Sequence, residues 1–131
     1  MIYGIGTDIV EIDRIKKIKS HDTFANKILG SEELQEYKKL KGELKISFLG
    51  KHFAAKEAFV KALGTGFIDP VFPKGIQVIS SNNGKPKYSL SNSIKSHIDS
   101  LGISRAHVSI ADERNHLIAF AVLEICIKFF F

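Results

Sequence analysis

A chain of 131 residues has room for one hydrophobic core but not two. Its hydrophobic (44%) and charged (25%) fractions are those of an ordinary globular protein, which excludes a disordered or fibrous chain and predicts a single domain over residues 1–131. With 19 Lys and Arg against 14 Asp and Glu, the net charge of +5 favours anionic partners (nucleic acid, acidic proteins or phosphorylated small molecules) without choosing among them. The single cysteine, Cys126, excludes an internal disulfide; with no charged-then-apolar leader, the expectation is a reducing cytoplasm, with Cys126 a small buried hydrophobe.

Residues 2–10, Ile-Tyr-Gly-Ile-Gly-Thr-Asp-Ile-Val, are rich in β-branched side chains and read as a strand. The period of two puts Ile2, Gly4, Gly6, Asp8 and Val10 on one face. Asp8 is a lone acid there, behind two glycines that clear space for another backbone or a ligand. A competing reading makes the glycines packing relief and Asp8 the N-cap of the next helix. That helix, predicted over residues 11–20, carries Ile12, Ile15 and Ile18 on one side and Arg14, Lys16, Lys17 and Lys19 around the others. Such a basic exterior is either solvated surface or a steering face for an acidic partner. A looser stretch is expected around residues 21–30. Ser31, as N-cap, then opens a helix with Glu32 and Glu33 in its first turn, ending near Lys41 with Gly42 as its stop.

Residues 47–66 read as a central helix whose apolar stripe is interrupted by Glu57. At about 100° per residue, Phe53, Val60 and Gly64 fall close to Glu57, Ala54 lies on its other side, and Lys61 sits one turn ahead. A carboxylate held on such a stripe must be paired, hydrogen-bonded or metal-bound, because desolvating it alone costs several kcal/mol in effective terms. The plainer reading is a Glu57–Lys61 surface pair at the favoured i,i+4 spacing, contributing roughly 0.3–0.5 kcal/mol. The glycines of Gly64-Thr65-Gly66 offer backbone N–H groups to a phosphate, or simply stop the helix.

Residues 76–79 read as a strand, Asn83-Gly84 as a tight turn and residues 86–90 as the returning strand. Ser91 caps a helix predicted over residues 92–101, with Ile94, Ile98 and Leu101 inward and Gly102 past its end. Residues 106–111, the turn 112–115 and residues 117–125 form a last hairpin. The apolar stretch 117–131 is too short for a membrane helix, which needs about 20 apolar residues, and Glu124 and Lys128 interrupt it. The class is α+β with a mainly antiparallel sheet packed against helices. There is no Walker loop, no Gly-x-Gly-x-x-Gly opening a helix, no Cys or His cluster at zinc spacing and no Gly-x-Ser-x-Gly.

Two stretches taken together resemble one family. Gly4-Ile-Gly-Thr-Asp-Ile-Val-Glu-Ile-Asp-Arg-Ile and Phe53-Ala-Ala-Lys-Glu-Ala-Phe-Val-Lys-Ala-Leu-Gly-Thr-Gly are similar to the two signature motifs of the holo-[acyl-carrier-protein] synthases, bacterial 4'-phosphopantetheinyl transferases of fatty acid synthesis. The Asn83-Gly-Lys-Pro turn and the His107-Val-Ser-Ile strand also match, so the resemblance runs nearly the full length. It implies a 4'-phosphopantetheinyl transferase-like fold and transfer of the phosphopantetheine arm of coenzyme A to a serine of apo acyl carrier protein, releasing adenosine 3',5'-bisphosphate. By the same resemblance Asp8 and Glu57 are the Mg²⁺ ligands, and Glu57, directly or through water, takes the serine proton. Lys61 contacts the phosphates. Lys51, Gly64, Asn83, Gly84, Pro86 and His107 lie near coenzyme A, and Arg14 and Lys17 belong to the helix that docks the acidic carrier. The resemblance further implies a homotrimer with active sites shared between subunits, and neither nucleic acid nor membrane as partner.

Two departures stand out: Ala111 occupies a position where the family usually has Ser or Thr, and His116-Leu117 stands near a common Tyr-Ala. The Phe129-Phe130-Phe131 tail suggests burial against a neighbouring subunit. Two rival readings remain at this stage. One is a small basic module that binds nucleic acid with Glu57 merely paired to Lys61, and the other is a transferase serving a carrier domain of a larger synthase.

Overall fold

The computed structural model describes residues 1–126; Lys128 and the Phe129 to Phe131 tail lie outside the described residues. In chain order the elements are β1 (Ile2–Glu11), α1 (Ile12–Lys16), α2 (His21–Ile28), α3 (Ser31–Lys39), α4 (Glu43–Leu63), a 3₁₀ turn (Pro73–Gly75), β2 (Ile76–Ser80), β3 (Pro86–Leu90), α5 (Asn92–Ser100), β4 (Ile103–Asp112) and β5 (His116–Ile125). The sheet runs in the order β1-β5-β4, antiparallel throughout, and β2-β3 is a separate antiparallel hairpin. This is the α+β arrangement expected from the mixture of periods in the sequence.

Helix α4 organises the molecule by lying across the inner face of the sheet against β1 and β5. That face carries Val10, Leu117, Ala119, Ala121 and Leu123, all buried. The helix meets it with Ala58 and Ala62, so small side chains on both surfaces bring the backbones close. Gly4 and Gly6 take this to its limit. A Cβ on Gly4 would overlap the carbonyl oxygen of Ala62, and one on Gly6 that of Ala58. The space cleared by the two glycines is thus filled by a helix backbone. Around this contact Leu49, Phe59 and Leu63 are buried, each contributing about 1.5–3 kcal/mol by transfer from water.

Several local expectations shift. The stretch expected to be loose, 21–30, contains α2. Ser20 Oγ accepts from the Thr23 N–H at 3.2 Å, and Ala25 and Ile28 are buried. The N-cap of α3 is Gly30 rather than Ser31, and Gln77 Oε1 of β2 accepts from the Glu32 and Glu33 N–H groups at 2.9 and 3.3 Å. A side chain from a distant strand therefore performs the capping that sequence assigned to Ser31. Gly42, expected to stop α3, instead stands at the N-cap of α4 with φ +58°. Leu101, expected to face inward, stands exposed as the C-cap of α5. Cys126, expected to be buried, is exposed among the described residues, where it follows the last paired residue of β5. Among the described residues no helix is long and apolar enough to cross a membrane.

Candidate active site

The antiparallel course of α4 over β1 brings the two singled-out acids together. Gly4 meets Ala62 and Gly6 meets Ala58, and the same run carries Asp8, the next inward position, to the turn of α4 that holds Phe53 and Glu57. Asp8 does not cap α1, whose N-cap is Glu11 with no side-chain bond. Asp8 and Glu57 line one cleft of about 390 Å³ together with Arg14 of α1, while Ile15, Ile18, Phe24 and Phe53 supply an apolar wall. The Phe24 and Phe53 rings meet with centroids 5.6 Å apart.

The Glu57–Lys61 pair allowed by spacing is not formed. Lys61 Nζ reaches across to β1 and donates to Asp8 Oδ1 at 3.0 Å and to the Thr7 carbonyl at 3.1 Å. Among the described residues no basic side chain forms an ion pair with Glu57. Its carboxyl is pushed above the usual carboxylate range, first by burial and then by the Asp8 charge, with Lys61 opposing. Two acids facing one cleft, one of them with a raised affinity for a proton, form a site that a cation would relieve.

The donor set says which cation fits. Among the described residues no group of three or more His, Cys, Asp or Glu side chains gathers to hold a metal. Zinc, which takes three or four protein ligands rich in nitrogen and sulfur, does not fit two carboxylates. Mg²⁺ does, because it typically takes one or two carboxylates and completes its octahedron with water and phosphate oxygens.

The other candidate residues stand elsewhere. Lys51 and Pro86 share a second cleft of about 310 Å³ with Phe48, His52 and Asp112, and Lys51 Nζ pairs with Asp112 at 3.0 Å. Asn83 and Gly84 form the hairpin turn: Asn83 Oδ1 accepts from the Lys85 N–H at 3.3 Å, and Gly84 has φ +83°. Gly64 ends α4 in the left-handed region, φ +88°, and its N–H is used on the Val60 carbonyl at 2.9 Å, so that donor is taken. His107 lies on the opposite face of the sheet from α4, bonded to Glu124. Ala111 is on that outer face too, in register with Ile118. Lys17 is exposed at the end of α1 and outside the acidic cleft. The structure thus gathers Asp8, Glu57, Lys61 and Arg14, and leaves Lys51, Pro86, Asn83, Gly84 and His107 apart from them within one chain. Sequence reasoning missed Phe24, which the Ser20 cap and the spacing of Phe24, Ala25 and Ile28 could have placed on a helix.

Comparisons with known proteins agree on one family. The 4'-phosphopantetheinyl transferase superfamily matches residues 4–121. A holo-[acyl-carrier-protein] synthase of Nitrosospira multiformis is 44% identical over 126 residues, covering 95% of this chain and 99% of its own. The crystal structure of the Neisseria meningitidis holo-[acyl-carrier-protein] synthase superposes with a TM-score of 0.86 at 41% identity, covering 95% of this chain and 99% of that one. A Bacillus anthracis holo-(acyl-carrier-protein) synthase, solved in complex with CoA (3',5'-ADP), superposes with a TM-score of 0.82 at 36% identity, covering 96% and 99%.

Proposed function

The chain belongs to the 4'-phosphopantetheinyl transferase superfamily, and from that premise we propose that it is a holo-[acyl-carrier-protein] synthase, one cytoplasmic domain that transfers the 4'-phosphopantetheine of coenzyme A to apo acyl carrier protein in fatty acid synthesis. The observation that carries the reading is the meeting of Asp8 and Glu57 in one cleft, with Lys61 bridging to Asp8. The serine oxygen of the carrier attacks the pyrophosphate of coenzyme A, the bond to adenosine 3',5'-bisphosphate breaks, and the serine proton passes to Glu57 or to a water beside it. Bound between Asp8 and Glu57, Mg²⁺ would supply neutralisation of the phosphate charge and of the charge growing on the leaving group. Lys61, exposed beyond its bond to Asp8, is placed to meet a phosphate from the same side.

The carrier is acidic, and Arg14 with Lys17 gives α1 the complementary charge. The apolar wall of Ile15, Ile18, Phe24 and Phe53 would take an apolar side chain of the carrier near its serine. Lys51, Gly64, Asn83, Gly84, Pro86 and His107 would hold coenzyme A across a subunit boundary of a homotrimer. The separation of Lys51, Pro86 and His107 from Asp8 and Glu57 within one chain supports that sharing.

The test is intact-mass measurement of apo acyl carrier protein incubated with this protein, coenzyme A and Mg²⁺. A gain of roughly 340 Da, one phosphopantetheine arm, lost with Asp8→Ala, Glu57→Ala and EDTA, is the expected result. No gain on any of several apo carriers with the folded protein overturns the reading.

A further inference from the structure

Glu57 is preceded on α4 by a lysine that sequence reasoning passed over. Successive helix residues point about 100° apart, so while Glu57 faces the acidic cleft, the side chain of Lys56 runs into the interior and is 0% exposed. Its Nζ donates to Glu33 Oε1 at 2.7 Å, to the Pro73 carbonyl at 3.0 Å and to the Ile76 carbonyl at 2.5 Å. Three acceptors match the three N–H donors of an ammonium, so every donor is used; burial pulls the Lys56 pKa below the usual lysine range, opposed by the Glu33 charge and hydrogen bond. Glu33, 1% exposed, is equally engaged. Its Oε1 also accepts from the Gly30 N–H at 3.0 Å, and its Oε2 from the Val78 N–H at 3.1 Å and from His52 Nδ1. Burial pushes this carboxyl up, but the His52 hydrogen bond and the Lys56 and His52 charges outweigh it, so Glu33 stays below the usual carboxylate range. Among the described residues no buried side-chain nitrogen or oxygen lacks a partner.

Two features give this network a direction. Lys56 and His52 are four residues apart and grip one carboxylate from one side of α4. The opposite contact, α4 on β1, is a close approach of glycine and alanine backbones, with Lys61 Nζ bonded across it to Asp8 and the Thr7 carbonyl. A buried ion pair contributes little net stability over a well-packed apolar pair, whereas its hydrogen bonds are directional and set an angle.

We propose that Lys56 is a positioning residue: through its tether to Glu33, backed by His52, it sets the rotation of α4 that aims the Glu57 carboxylate at Asp8 across the cation site. This rests on the transferase reading above. Glu57 is one residue further along the same helix and Asp8 stands on β1, so a small rotation of α4 separates the two.

The experiment compares the wild type with the double variant Lys56→Met/Glu33→Gln, which removes both buried charges together and keeps the side-chain volumes close to native. Four quantities are read: Tm, the rise in Tm produced by Mg²⁺ alone, and kcat and KM on apo carrier. The expected result is a folded protein with carrier KM near the wild-type value, a much smaller Mg²⁺-induced rise in Tm, and kcat lower by about ten- to a hundredfold, the scale of a misplaced reacting group. A double variant that keeps the wild-type kcat and the wild-type Mg²⁺ response overturns the proposal. Should it fail to fold, His52→Gln, which loosens one of the two tethers, takes the same measurements. Lowered kcat with a weakened Mg²⁺ response then supports the proposal, and unchanged values overturn it. A wild type that responds to Mg²⁺ in Tm but modifies no carrier overturns the transferase reading instead, because the Mg²⁺ response of the variants is read without turnover.

Discussion

Glu57 and Lys56 are neighbours in sequence with opposite surroundings, and each carries a charge the fold must accommodate. For Glu57 the accommodation is incomplete: burial and the Asp8 charge raise its proton affinity. A carboxyl whose folded pKa lies above its unfolded value contributes stability below the unfolded pKa and loses it as pH rises through the folded one. The Glu57→Gln variant is therefore expected to be more stable than the wild type near neutral pH without Mg²⁺, with the difference vanishing in acid as Glu57 of the wild type protonates. Urea unfolding at both pH values checks this. Added Mg²⁺ should narrow the gap by stabilising only the wild type, and kcat should fall by about 10²–10⁴ if Glu57 takes the serine proton. Glu33 has the opposite sign, being held below the usual range by its partners. Its contribution is present above the unfolded carboxylate pKa and is lost as pH falls through the folded one.

At the scale of elements, the site depends on how closely α4 approaches β1. Gly6 is where the approach is most crowded and most testable, because an added side chain would meet the Ala58 carbonyl, the Ala62 nitrogen and Lys61 Cβ. Backbone cannot yield as a flexible side chain can. Gly6→Val is expected to cost about 1–3 kcal/mol, as overpacking does, and also to weaken the Mg²⁺-induced rise in Tm, since lifting α4 moves Glu57 away from Asp8. Denaturant unfolding with and without Mg²⁺ separates the two effects. A loss of stability with an undiminished Mg²⁺ response would show that the two acids do not act on one ion. The same closeness explains why the period-two reading of β1 left open what filled the cleared space: a helix backbone and a ligand ask the same thing of a glycine.

At the scale of the whole molecule, the outer face of the sheet stands uncovered by the described residues. Ile5 (58% exposed), Ile9 (60%), Ile118 (41%) and Phe120 (42%) lie on it, and β-sheet register brings Ile9 opposite Ile118. A contiguous apolar face of this kind marks an interaction surface, and His107 shares it. If a neighbour's His107 completes the site of Asp8 and Glu57, two inactive variants should complement each other. Mixing Glu57→Gln with His107→Ala, after exchange of subunits, is expected to restore about a quarter of the wild-type rate, the statistical share of sites built from one sound half of each in a cyclic oligomer. Each variant alone stays low. No recovery, with subunit exchange shown by mixed-mass species, would mean that each chain holds a whole site.

Much of this was legible in the sequence because it is local. Period two placed β1 and the last hairpin, Asn83-Gly84 the β2-β3 turn, and Ser91 the start of α5, since each depends on residues within a few positions of one another. Helical periodicity exposed Glu57 as an acid on an apolar stripe for the same reason. What only the tertiary structure decided are the choices between partners far apart in the chain. Lys61 could reach Glu57 by spacing, yet it pairs with Asp8, 53 residues away. Glu33 had the sequence of a first-turn acid, yet it is buried under Lys56 and His52, and the α3 N-terminus is capped by Gln77, 45 residues from Glu32. A helix wheel fixes the angle of a side chain about its own axis. Which charge waits at that angle is set by the packing of α4 between the sheet, α3 and β2, where an unpaired buried charge costs more than any local preference can offset.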